Sequence, residues 1–118
     1  MKYLCLIYDD ERKMEAMPAD EMDALLGEYA AFAEEIGGSG RLLAGEELQP
    51  SRAATTVRIR DGRMSTTDGP FAETREQLGG FFLVEARDLN EAIGLAARIP
   101  SARTGSVEVR PVAEYGAE

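Results

Sequence analysis

From Asp68 to Phe82 the chain reads Asp-Gly-Pro-Phe-Ala-Glu-Thr-Arg-Glu-Gln-Leu-Gly-Gly-Phe-Phe, and the residue types that could do chemistry are concentrated there. An acid before Gly-Pro can be held rigidly at a strand end where a cleft opens, which makes Asp68 the candidate catalytic group. The alternative is a turn cap: Asp accepts backbone N–H bonds in turns, and a carboxylate so bonded is a poor base. Gly69 permits a positive φ and Pro70 fixes the next one, so both read as backbone devices, while Phe71 reads as a plug between loop and core or as a stacking platform. Arg75, between Glu73 and Glu76, would grip an acidic ligand if it pointed into a cleft; otherwise the three form a solvated charged loop. Glu108 and Arg110 share the polar face of a strand. Arg110 is a structural salt bridge if paired with Asp68 or Glu73, and an anion hook if left unpaired. Tyr29, Phe71, Arg75, Glu108 and Arg110 are the candidate ligand-binding residues, around a cleft with Asp68 at its polar end.

The rest of the composition removes whole reaction classes. There is no histidine and a single cysteine in 118 residues. Ser-His and Cys-His nucleophile systems, imidazole acid-base catalysis and His-containing zinc or iron sites are therefore closed, and no disulfide framework can form. No metal or cofactor is expected. A carboxylate-only site for a hard cation stays open, without calcium-loop spacing to support it. The formal charge of −9 repels phosphate backbones and anionic membrane surfaces, so neither nucleic acid nor membrane is an expected partner. Met1-Lys2 precedes a short apolar run that ends at Asp9-Asp10-Glu11, which gives no signal-peptide core and points to the cytoplasm.

The elements that must position these groups follow from periodicity. Tyr3 to Tyr8 is apolar throughout, so as a strand it has both faces out of water and belongs centrally in a sheet, with Cys5 as a buried thiol. After Pro18, apolar residues at Met22, Leu25, Tyr29, Phe32 and Ile36 form one helical stripe, with acids at its positive end and Gly37-Gly38 as its stop. Leu42–Ala44 is a short strand. Thr55–Arg60 and Arg63–Thr66 form a hairpin around the turn dipeptide Asp61-Gly62. Phe81–Val84 is a second doubly apolar strand, entered through a glycine hinge. Asp88-Leu89-Asn90-Glu91 spells a capping box for a helix with a stripe at Ala92, Ile93, Ala96 and Ile99, ending at Pro100. Val107–Val112 is the last strand, with Pro111 ending its ladder on one side. This order predicts an α+β chain: a ferredoxin-like βαββαβ sheet with an added hairpin, in one domain spanning residues 1–118. Two helices cover one face of such a sheet. The uncovered apolar face predicts a homodimer.

Several stretches resemble the YCII-related family, often called the DGPF domain. They are the Met-Lys-Tyr-Leu start with Ile7-Tyr8, Leu42-Leu43-Ala44-Gly45 with Leu48 and Pro50, Asp68 to Glu76, Gly79-Gly80, Asp88 to Ala92, and Val107 to Val112. The resemblance implies a dimeric α/β-barrel in which two ferredoxin-like subunits pack through their sheets. It implies no single reaction. A His-Asp pair is proposed as catalytic in some members; this chain departs from that pattern in having no histidine, and Tyr29 stands near where that histidine is expected. Some members lie beside genes for extracytoplasmic-function sigma factors. Three functions follow as alternatives: an enzyme or binding protein for a small molecule such as an oxygenated aromatic or an acid, a regulatory accessory module that binds a protein, and an inert structural remnant. A deep cleft holding Asp68 and Arg110 favours the first, and a filled barrel with a flat exposed apolar patch favours the second.

Overall fold

The computed structural model describes residues 1–116. Strand β1, Lys2–Asp9, buries Tyr3, Cys5 and Ile7 on one face and leaves Leu4, Leu6 and Tyr8 half-buried on the other. It is central. β5 (Gln77–Glu85) pairs along one edge and β6 (Ser106–Pro111) along the other, with β2 (Leu42–Glu47) outside β5, all antiparallel. Helices α2 (Ala19–Gly38) and α3 (Leu89–Ala97) complete the ferredoxin-like βαββαβ order. Strands β3 (Thr55–Arg60) and β4 (Arg63–Asp68) form a separate two-stranded ribbon. Its turn takes φ of 53° at Asp61 and 74° at Gly62, the doubly positive geometry that matches strand twist in a tight hairpin.

The core lies between the sheet and the two helices. Tyr3, Cys5, Ile7 and Val84 meet Phe32 and Ile36 of α2 and Ala92, Leu95 and Ala96 of α3. Of the α2 stripe, Leu25, Phe32 and Ile36 are buried as the spacing requires. On α3, Leu95 is buried instead of Ile93, which stays 49% exposed. The cap on α3 is Asp88, whose carboxylate accepts the Glu91 N–H at 2.9 Å; Glu91 reaches back one residue further than a standard box, to the Arg87 N–H at 3.1 Å.

Four elements differ from the sequence expectation. Helix α2 runs through Gly37 and Gly38 and ends at Ser39, whose hydroxyl donates to the Ile36 carbonyl at 2.7 Å. β5 begins at Gln77, so Gly79 and Gly80 belong to the strand and are not a hinge. A side chain at Gly80 would come within 2.7 Å of the Glu46 carbonyl, so glycine there lets β2 approach. Two short helices were not signalled: α1, Glu11–Glu15, and α4, Ser101–Thr104. Both border the cavity described next.

Candidate functional site

The odd-numbered residues of β1 face the helices, and that alternation carries Asp9, at the strand's end, to the same side as Ile7. Pro100 turns the chain out of α3 and into α4, which places Ser101 and Thr104 on one helical face against that strand end. Ser101 Oγ donates to Asp9 Oδ2 at 2.5 Å and Thr104 Oγ1 to Asp9 Oδ1 at 2.8 Å. Both carboxylate oxygens are therefore engaged. Gly105 allows the approach, since a Cβ there would lie 2.0 Å from the Tyr8 carbonyl.

Ser101 is 1% exposed and also hydrogen-bonds the hydroxyl of Tyr29, from α2. A serine hydroxyl has one proton. That proton is donated to Asp9 Oδ2, so the proton between Tyr29 and Ser101 is the tyrosine's own. The chain of bonds runs Tyr29 to Ser101 to Asp9, and the Tyr29 oxygen keeps only acceptor lone pairs for anything beside it. Burial raises the Tyr29 pKa above its ordinary value, the Asp9 and Glu47 carboxylates add to the rise, and the Ser101 bond offsets part of it. Tyr29 is a neutral phenol at neutral pH.

Tyr29, Asp9 and Ser101 line a cavity of about 660 Å³ between α2 and the ends of β1, β2 and β5. The size suits a small organic ligand. Its walls include Met14, Met22, Leu25 and Phe82. The Phe82 ring stacks on Tyr29 with centroids 6.4 Å apart and planes 27° apart. Glu11 of α1 fixes one side, accepting from the Ser51 N–H at 2.7 Å and the Ser51 hydroxyl at 2.5 Å. Next to it Arg52 pairs with Glu15 at 2.7 Å. In β5, Gly79 is an extra residue opposite β1, because the register steps from Ile7↔Gly80 to Tyr8↔Leu78. Such bulges commonly stand beside functional clefts, and Gly79 lines this one.

Of the residues singled out in the sequence, Tyr29 lines the cavity and the others do not. Asp68 ends β4 opposite Thr55 and is exposed. The turn after it is pinned by the Gly69 N–H, which donates to the Ala54 carbonyl at 2.7 Å, and by Thr56 Oγ1, which donates to the Gly69 carbonyl at 2.9 Å. Phe71 is 81% exposed, so it plugs no gap against the core. Arg75 is exposed, with no ion pair among the described residues. Glu108 and Arg110 are on one face of β6 and pair with each other, not with Asp68 or Glu73. Asp9, Ser101 and Glu47 escaped the sequence reading. The signal for Asp9 was its odd-numbered place in β1; Ser101 carried none beyond following Pro100.

Cys5 is fully buried and free, and burial pushes its thiol up to about 11. Among the described residues no group of three or more His, Cys, Asp or Glu side chains is placed to hold a metal ion. No helix among them is long and apolar enough to cross a membrane.

The pattern of the YCII-related domain matches residues 1–115. The chain belongs to the YCII-related domain family. An uncharacterised protein of Rhizobium meliloti (strain 1021) is 38% identical over 117 residues, covering 98% of this chain and 94% of that one. Among solved structures, the chain is similar to the dehydrochlorinase TftG, named for 5-chloro-2-hydroxyhydroquinone, from Burkholderia phenoliruptrix AC1100 in complex with 2,5-dihydroxybenzoquinone. The TM-score is 0.54 at 14% identity, covering 96% of this chain and 94% of that one. That likeness is one of fold.

Proposed function

We propose that this YCII-related protein binds, and transforms, a small molecule in the cavity between α2 and the sheet. The observation that carries the reading is the directed chain from Tyr29 through Ser101 to Asp9, which opens on that cavity at one end and finishes on a carboxylate at the other. A bound O–H or N–H donates to the Tyr29 oxygen. A concerted shift would then move one proton from the ligand to Tyr29, the tyrosine's proton to Ser101 and the serine's to Asp9 Oδ2, with no net change in the two hydroxyls. The chain thereby acquires a proton path without histidine. The small cyclic molecule held by TftG supports the scale of ligand. The cavity holds neither Asp68 nor Arg110, so the support for this reading is the cavity's own size and the Tyr29–Ser101–Asp9 chain that opens on it.

The working unit in this reading is a homodimer joined through the sheet face that α2 and α3 leave open, where Leu4, Leu6, Phe81 and Leu83 lie in register. A thermal-shift screen of a small-molecule library, with hits identified by mass spectrometry, tests the cavity. Hits should be apolar molecules bearing a hydroxyl or N–H, and Tyr29→Phe should weaken them about tenfold while leaving the fold intact. Hits that bind Tyr29→Phe and Phe82→Ala as well as the parent chain would place the ligand elsewhere.

A further inference from the structure

Building on this cavity reading, we infer that the ligand is an organic cation: a protonated amine or similar N–H donor on an apolar, preferably aromatic, body. The cavity makes the site, and its ionisable groups set the sign. No lysine or arginine is among the residues that line it, whereas Asp9, Glu11, Glu15, Glu46 and Glu47 are. Their roles differ. Asp9 is held by Ser101 and Thr104, Glu11 by Ser51, and Glu15 by Arg52. Glu46 lies opposite Phe81, on the sheet face turned away from α2. Glu47 is the exception. It shares the α2 side with Gly45, opposite Gly80 as Gly45 is opposite Phe82, and its carboxylate makes no hydrogen bond or ion pair among the described residues.

An uncompensated carboxylate at the mouth of an apolar cavity attracts a cation and repels an anion. The Tyr29 oxygen can only accept, so it selects a ligand with a proton to donate. The stacked Tyr29 and Phe82 rings offer faces to an aromatic body or to the cation itself. Glu47 is near enough to Tyr29 to add to the rise in its pKa alongside Asp9, so the two carboxylates and the phenol share one field. A cation placed among them relieves that field. The arginines that the sequence offers as anion hooks, Arg75 and Arg110, are not at the cavity.

Three probes of matched shape separate the possibilities by calorimetric titration near neutral pH and low salt: phenethylamine, phenethyl alcohol and hydrocinnamate. The amine should bind at least about tenfold more tightly than the alcohol, and the acid should be the weakest. Added salt should weaken the amine and spare the alcohol. Glu47 is exposed at a strand end, so Glu47→Gln should keep the native circular dichroism, cost the amine several-fold in affinity and leave the alcohol unchanged. Equal binding of amine and alcohol, a preference for the acid, or equal losses for both ligands in Glu47→Gln would overturn the cation assignment and leave the cavity reading standing. Failure of all three probes to bind would remove both.

Discussion

Ser101 joins two groups that otherwise have no reason to meet. It is buried, it donates to Asp9 and it accepts from Tyr29. Ser101→Ala would leave a half-buried phenol without its acceptor and a carboxylate short of one donor, at a cost of about 1–3 kcal/mol, read as a lowered chemical-denaturation midpoint. Ser101→Thr, which keeps the hydroxyl, should recover much of that loss; equal losses in both variants would mean that packing, not the hydrogen bonds, sets the effect. Cys5 gives a pH prediction of the opposite kind. Its thiol pKa is raised from 9.0 to about 11, so between those values the unfolded chain releases a proton that the folded chain retains. Fewer protons on the unfolded state make stability fall as pH rises. The loss should begin near the unfolded value and approach about 2–3 kcal/mol at the upper one. Tyr29 is raised as well and adds to the same alkaline loss. Stability curves for the parent chain and Cys5→Ala, measured across that window, should differ in slope; parallel curves would show that the thiol ionises in the folded chain as readily as in the unfolded one.

Elements whose signal is local were legible from residue order. The β1 run, the α2 stripe, the Asp61-Gly62 turn and the Asp88 cap each show a pattern within a few residues, and each element forms there, although α2 runs on through its expected Gly37-Gly38 stop. The site was less legible, because its central bond joins residues 92 apart in the chain and depends on how α4 docks against β1. Nothing in the Pro100-Ser101-Ala102 spelling says which strand end the new turn will meet. The Asp68 loop concentrates turn residues and charges, and its Gly69 N–H and carbonyl are bonded to Ala54 and Thr56, which pins the loop to the hairpin before the chain returns to β5. Docking of α4 has one steric gate, at Gly105, where an added Cβ would collide with the Tyr8 carbonyl. Gly105→Ala should therefore cost about 3 kcal/mol, at the upper end of overpacking losses. It should also loosen Ser101 and Thr104 from Asp9. Hydrogen exchange of the 101–106 amides should rise in that variant above what the loss of global stability explains; uniform exchange across the chain would put the strain elsewhere.

At the scale of the whole molecule, the chain is a slab with extents of 51 × 47 × 19 Å, one layer of helices on the four-stranded sheet, with the β3–β4 ribbon as a separate sheet. The second sheet face has no cover of its own. Leu4, Leu6, Phe81 and Leu83 form its centre, with the Glu108–Arg110 pair beside Leu6 and Leu4 along β6. The β3–β4 ribbon adds more uncovered apolar surface, since Val57, Ile59 and Met64 are 58%, 66% and 70% exposed. Surface of this kind on one chain is normally an interface, and a two-fold axis lets the same patch serve both partners. We therefore expect a dimer by sedimentation at micromolar concentration. Leu6→Glu, which sets a charge at the centre of the face opposite Glu108, should produce a folded monomer whose circular dichroism matches the parent. Because the cavity lies on the helical side of the sheet, the monomer should still bind phenethylamine, with affinity within a few-fold of the dimer's. A parent chain that sediments as a compact monomer would remove the sheet-face interface, whereas a Leu6→Glu monomer that no longer binds would mean that the partner completes the cavity.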